Sequence, residues 1–298
     1  MVDNDEIVSK LASLVSQGRC ILFLGAAVHS PPPDSSLYSY PPADRPLLGG
    51  QLSEHLAIKG KFQDSYPQGN LRDLQRVALH FEIRESRAAL VSEIRTAIHD
   101  GKKPSPIVRA LAKLDFPIVI TTNYDQLFER ALRRIAKEPI FSIYKKNEEK
   151  EQESTDEYPG GDDPCPQRPF IFKIHGDVDR PESIVITDED YIHFVLRMGD
   201  KSPFNPIPDA IQYRLKKWPT LFLGYSLMDY NLRLLFKTLR WRVDRSRWPD
   251  TYSVDRSPDP LIFEVWNNQR KYVKYVVSDV WSFVPQLYRN VTGEEMKE

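Results

Sequence analysis

Cysteine is nearly absent from this 298-residue chain, which holds only Cys20 and Cys165, far apart and in unlike settings. A structural zinc site needs four clustered ligands, commonly in paired C-x-x-C spacing, so no zinc module and no metal are expected. Cys20, beside an apolar run, is read as a small buried hydrophobe. Long apolar runs are missing too, since none approaches the roughly 20 residues needed to cross a bilayer. The N-terminal stretch MVDNDEIVSKLASLVSQG is acidic and amphipathic where a secretory leader would be cationic and then apolar, so a cytoplasmic protein without a membrane partner is expected. Nor is there an excess of charge of one sign. A formal net charge of -1 gives no global attraction to nucleic acid or to an anionic membrane, and the short basic stretches KWPTL and RWRVDRSRW are weak substitutes, so direct nucleic-acid binding is not expected.

What is present suits an enzyme-sized α/β protein. With 41% hydrophobic and 28% charged residues, the chain can bury one large core, or one core with a small accessory unit. Four short apolar runs each stop in a small or polar cluster: Ile21 to Ser30 (ILFLGAAVHS), Ile118 to Asp125 (IVITTNYD), Phe170 to Asp177 (FIFKIHGD) and Leu221 to Leu227 (LFLGYSL). Continuous apolar runs of this length read as strands buried on both faces of a parallel sheet. The clusters then fall at the carboxyl ends, where open α/β sheets bind ligands.

Helical spacing is read over residues 4 to 17, with Gly18 as the stop, and over Leu52 to Ala57, Leu71 to His99, Pro104 to Leu114 and Asp125 to Ala136. Further helices are read at Asp188 to Leu196, with Thr187 as N-cap, at Leu227 to Leu239 and at Val280 to Tyr288. Strands are read at Ile184 to Ile186 and Leu261 to Trp266. Closely set prolines between Ser30 and Gly50 exclude regular structure and suggest a lid or binding loop. The charged stretch KKNEEKEQESTDEYPGGDD, at about 145–163, reads as a mobile surface loop. Strands alternating with helices predict a Rossmann-like, doubly wound, mainly parallel sheet. A single domain over 1–298 is expected, with a small helical layer or subdomain at about 51–115.

Each cluster has a bland and a functional meaning. Gly25, Ala26 and Ala27 resemble a turn that brings a helix N-terminus or backbone amides to a phosphate, yet neither G-x-G-x-x-G nor the Walker A lysine is present. Asn123 or Asp125 could cap the next helix, or face a ligand. His175 could be a structural hydrogen-bonding group, or a general base whose ordinary pKa of roughly 6.5 suits neutral pH. Gly224 and Ser226 could simply form another capped turn.

Together and in order, the motifs resemble those of the sirtuin-like domains of bacterial anti-phage defence proteins. The likeness runs from about Ile21 to Leu235: GAA (Gly25 to Ala27), TTNYD (Thr121 to Asp125), K-I-HGD (Lys173 to Asp177), IVIT, DY (Asp190, Tyr191) and LGYSLMDYNLR (Leu223 to Arg233). The resemblance implies NAD+ lying across the strand ends and hydrolysed to nicotinamide and ADP-ribose. Asn123 and His175 would be the catalytic pair. Gly25, Ala26, Ala27, Thr122, Asp125, Gly224 and Ser226 would line the dinucleotide site. By the same resemblance the chain works as a homo-oligomer with a HerA-type hexameric ATPase, carries no sensor domain of its own, and depletes NAD+ in an abortive response to phage. Two departures stand out. In the first turn Ala27 replaces a glycine, where its methyl can crowd a diphosphate, and His29 stands where serine is usual; and the zinc-binding cysteines of protein-deacylating sirtuins are missing, which ranks hydrolysis above deacylation. A subunit that binds NAD+ or ADP-ribose without cleaving it is the alternative; protein deacylation or ADP-ribosyl transfer ranks below both.

Overall fold

A computed structural model describes residues 4–144, 163–197, 207–225, 227, 249–267 and 273–297. In chain order it contains α1 (Asn4–Ser16), β1 (Ile21–Leu24), α2 (Gly49–Lys59), α3 (Phe62–Ser65), α4 (Leu74–Arg84), α5 (Arg87–Ile98), α6 (Pro106–Lys113), β2 (Ile118–Thr121), α7 (Leu127–Arg134), β3 (Ile140–Ile143) and β4 (Phe170–Lys173). There follow α8 (Asp188–Arg197), α9 (Asp209–Leu215), β5 (Thr220–Leu223), β6 (Thr251–Asp255), α10 (Pro260–Asn267), β7 (Val273–Val277) and α11 (Val280–Thr292).

All seven strands pair in parallel, in the order β3-β4-β2-β1-β5-β6-β7. The four apolar runs are β4, β2, β1 and β5, which are contiguous at the centre of the sheet and buried along their whole length. Side chains alternate between faces, as the two-residue strand period requires. Leu22, Leu24, Val119 and Ile171 join α1, α6, α7 and α11 in one core. Ile21, Phe23, Ile120 and Phe172 join α8, α9 and Trp266 of α10 in the other. Cys20 lies fully buried in the first, and burial pushes its thiol up to about 12, which suits a packing role.

A third apolar cluster decides where the site can be. Leu52, Leu56, Val77, Phe81, Leu90 and Ile94 of α2, α4 and α5 pack on Tyr124, Val178, Ile184 and Ile186. The last four residues belong to the segments that follow β2 and β4, so these helices roof the carboxyl ends of those strands. The chain runs from β1 to its neighbour β2, and later returns to pair β5 against the other side of β1. That reversal opens the crevice at which doubly wound sheets hold ligands.

Several local expectations are corrected. Leu261 to Trp266 is helix, not strand: Asp259 starts it by accepting from Ile262 N at 2.9 Å, and six residues are too few for periodicity to separate the two. Ile184 to Ile186 is not a strand but follows a 3-10 turn at Pro181–Ser183, with Val185 N donating to His175 O at 3.0 Å. The stretch from Leu71 to His99 is two helices, because Ser86 accepts from Ala89 N at 3.1 Å and starts α5. Ala26–His29 is a single 3-10 turn instead of an α-helix start, and Pro31 soon follows. Strands β3, β6 and β7 and helix α9 have no counterpart in the sequence reading. The expected helix Leu227 to Leu239 falls outside the described residues beyond Leu227, as does the charged loop except for Asp163.

Candidate active site

The turns after β1, β2, β4 and β5 meet at one cavity of about 430 Å³, within the usual size range of small-molecule sites. Its floor is polar, with Ala26, Ala27, His29, Thr122, Asn123, Asp125, His175, Gly224 and Tyr225. Its roof is apolar, with Leu47, Leu48, Leu52, Leu74 and Ile98. The structure therefore brings together Ala26, Ala27, Thr122, Asn123, Asp125, His175 and Gly224 of the residues singled out in the sequence. Gly25 does not line the cavity; it supports the turn. Ser226 lies outside the described residues.

Gly25 and Gly224 hold the crevice closed at its base. A Cβ on Gly25 would sit 2.4 Å from Gly224 O, and one on Gly224 would sit 2.6 Å from Gly25 O. Gly224 also has φ of +73°, a left-handed conformation that favours glycine. Gly25 N donates to Leu223 O at 2.9 Å and Ala27 N to Gly224 O at 3.1 Å, so β1 and β5 stay joined past their last ladder pair.

Asn123 and His175 stand on adjacent strand ends. Thr121 of β2 pairs with Lys173 of β4, and each candidate lies two residues further on. The Asn123 backbone N–H donates to Thr121 Oγ1 at 3.0 Å, and that hydroxyl donates to Leu24 O at 2.7 Å, which pins the turn to β1. Asn123 Oδ1 is cut off from solvent and has no hydrogen-bond partner among the described residues. An orphaned buried acceptor costs about 1–3 kcal/mol, so this turn is held in place at a local cost.

His175 is buried, and loss of solvation lowers its pKa to about 3, so its imidazole is neutral at physiological pH. Its ring meets those of Tyr191 and Phe194 edge to face, each at 5.2 Å between centroids. Tyr191 Oη, on α8, stands 3.4 Å from His175 Nδ1. Asp125 does both things considered for it. Its Oδ1 accepts from Leu127 N at 2.8 Å, capping α7, while the residue also faces the cavity, and burial raises its pKa. Thr122 Oγ1 accepts a hydrogen bond from Tyr225 Oη.

Beneath this floor lies a charged network whose Lys173 and Asp177 bound the K-I-HGD motif and whose Glu129 no motif contained. Lys173, fully buried at the end of β4, donates to Asp125 O, to Glu129 Oε1 at 3.1 Å and to Asp177 Oδ2 at 2.7 Å. Three donors meet three acceptors, which is what lets a buried ammonium remain charged. Lys173 thereby ties the turn carrying Asn123 to the turn following His175. Gln126 adds a second tie, donating to Asp177 Oδ1 at 2.9 Å and Asp179 Oδ2 at 2.8 Å. The roof is latched to the same turns: Arg87 bonds Glu82, Asp190 and Ile184 O, and Arg95 pairs with Asp179 at 2.6 Å.

The proline-rich segment is split in its role. Tyr38 and Tyr40 pack near Trp281, whose Nε1 donates to Ser30 O at 3.2 Å, and these contacts fix the first part to α11. Pro46 to Gly49 line the cavity. Among the described residues, no group of three or more His, Cys, Asp or Glu is placed to hold a metal ion, and no helix is long and apolar enough to cross a membrane.

Comparison with known proteins identifies the family. The family described as SIR2-like domain matches residues 117–275, more than half of the chain, from the foot of β2 into β7. NAD(+) hydrolase ThsA of Enterococcus faecium is 30% identical over 250 residues, covering 83% of this chain and 45% of that protein. NAD(+) hydrolase ThsA of Acinetobacter baumannii is 25% identical over 219 residues, 68% of this chain and 40% of the relative. Defense-associated sirtuin 2 of Bacillus subtilis is 23% identical over 269 residues, 88% of this chain and 23% of its own length. The chain spans less than half the length of these relatives. With the parallel sheet, the crevice at its point of reversal and this match in hand, the chain belongs to the SIR2-like domain family.

Proposed function

We propose that this protein is an NAD+ hydrolase of anti-phage defence, cleaving NAD+ to nicotinamide and ADP-ribose. The observation that carries the proposal is the pairing, on neighbouring strand ends of one cavity, of Asn123 with a His175 held neutral by burial. Relatives named as NAD(+) hydrolases support the choice of substrate.

The chemistry asks little covalent help from the protein. The bond between ribose C1′ and the nicotinamide nitrogen breaks with its electron pair moving to the ring, which leaves neutral. Positive charge builds on the ribose, as in glycoside hydrolysis. The Asn123 side-chain amide positions the attacking water or a ribose hydroxyl, and His175, entering as a neutral base, takes a proton as the new C1′–O bond forms. Asp125 orders the nicotinamide-ribose end. Ala26, Ala27 and Gly224 present close-approaching backbone to the diphosphate, and the apolar roof limits water. Ser226 is assigned to the same half of the substrate on the motif resemblance alone.

The wider setting belongs to the same proposal. We place the protein in the cytoplasm as a homo-oligomer controlled by a HerA-type hexameric ATPase, on the strength of the motif resemblance. Co-expression followed by size measurement and co-purification tests that pairing. For the activity, nicotinamide release from NAD+ is measured with the chain alone and with its partner. Turnover by the wild type that vanishes in Asn123→Ala and His175→Ala supports the assignment. Binding of NAD+ without release in any of these preparations would favour the sensor alternative.

A further inference from the structure

We propose that His29 is a substrate-contacting residue that accepts a hydrogen bond from a ribose hydroxyl of the dinucleotide through Nε2, with its tautomer set by Tyr40; this rests on the NAD+ reading above. His29 closes the 3-10 turn after β1 and lines the same cavity as Asn123 and His175, with 2% of its surface exposed.

The tautomer follows from counting hydrogens. Tyr40 Oη carries one, and it points at carbonyls: Lys103 O at 2.8 Å, with Asp44 O at 3.3 Å as the weaker alternative. A carbonyl can only accept, so either choice leaves Oη with nothing to donate to His29. The contact of 3.2 Å between Oη and His29 Nδ1 therefore has the imidazole donating, which places its proton on Nδ1. Lys103 N donates to Asp44 O at 3.0 Å and Arg45 Nε to Tyr40 O at 2.7 Å, so the cradle around the hydroxyl is fixed. Burial keeps the ring neutral, lowering its pKa to about 3, and keeps the phenol protonated.

Nε2 is then a bare acceptor. It has no partner among the described residues, and the ring that carries it lines the cavity. A neutral acceptor repels phosphate oxygens and selects a donor. The donors of the dinucleotide are its ribose hydroxyls and the amino groups at the outer ends of the two bases. With the diphosphate over the turn after β1, where such sheets hold it, the riboses flank that turn and the amino groups lie farthest away. The hydroxyls are the groups within reach of a residue three positions beyond Ala26.

The full chain, with any partner its turnover requires, is tested by calorimetric Kd and nicotinamide-release kinetics on NAD+ and on four analogues, each lacking one ribose hydroxyl. His29→Phe, which keeps the ring and loses both nitrogens, should raise Kd and KM roughly five- to tenfold, the loss expected for one neutral hydrogen bond, with a smaller effect on kcat. One analogue should lose the same factor with the wild type and nothing further with His29→Phe, a non-additivity that a merely structural role would not produce. His29→Gln, whose carbonyl can stand where Nε2 stood, should keep affinity within about twofold and serves as the folded control. Tyr40→Phe, which frees the tautomer, should weaken binding less than His29→Phe. Equal binding by wild type and His29→Phe, or losses that add for all four analogues, would overturn the assignment. A wild type that binds NAD+ without releasing nicotinamide sinks the hydrolase proposal but not this one; a wild type that does not bind NAD+ sinks both.

Discussion

Burial of His175 as a neutral ring makes a quantitative prediction about acid. Its pKa is lowered from 6.5 to about 3 by loss of solvation, so below pH 6.5 the unfolded chain takes up a proton that the folded chain refuses. Stability must fall as pH falls through that window. The linkage cost is RT ln(1 + 10^(6.5 − pH)), which is under about 0.1 kcal/mol at pH 7.5 and about 1.4 kcal/mol at pH 5.5. The result depends only on the folded pKa lying well below 5.5. Asp125 and Glu129, whose pKa values burial raises, act in the opposite sense, so total stability is the wrong observable. The difference between wild type and His175→Phe isolates the histidine. Urea unfolding at pH 7.5 and 5.5 should show the variant gaining about 1.4 kcal/mol on the wild type between the two pH values. A difference that stays constant to within about 0.3 kcal/mol would mean that His175 titrates normally and is not the desolvated base drawn here.

Asn123→Ala should abolish nicotinamide release while costing the fold less than about 1 kcal/mol, because the truncated oxygen has no partner to lose among the described residues; a large drop in urea midpoint would contradict that. Lys173→Met should destabilise by about 3–5 kcal/mol, since it leaves Glu129 and Asp177 as buried carboxylates without their cation. Adding Glu129→Gln should restore part of that loss, and an unchanged double variant would show that Lys173 acts through packing alone. Gly25→Ala places a methyl carbon against Gly224 O and should lower stability and NAD+ binding together, with calorimetry detecting a site that tolerates it.

The central sheet was legible for a physical reason. Strands β4, β2, β1 and β5 are buried on both faces, so each leaves an unbroken apolar run, and their polar ends mark the crevice. The outer strands leave no such mark. Ile140–Ile143 is half-exposed, Val273–Val277 buries only Val273 and Val276, and Thr251–Asp255 buries Thr251 and Ser253, polar residues that read as surface. Leu261 to Trp266 shows the reverse error, an apolar helix too short to display its period. The roof was visible only as a stretch of helices without strands between them. That it covers the ends of β2 and β4 follows from Tyr124, Val178, Ile184 and Ile186, which the helices grip from positions scattered along the chain.

At the site, residue type and order along the chain were enough to single out Asn123, Asp125, His175, Gly224 and the turn after β1, because strand ends are local features. Local features do not say what lies across the crevice. Only the folded chain brings Lys173 under the turn that carries Asn123, sets Tyr191 against His175, and places Lys103 O where it takes the one hydrogen of Tyr40. These contacts join residues 63 positions apart in one case and 48 in another, and no periodicity spans such distances. The sequence determined which chemistry the strand ends could offer; the protonation, burial and partners that make it usable were decided by tertiary packing, because desolvation and hydrogen-bond geometry exist only once distant segments meet.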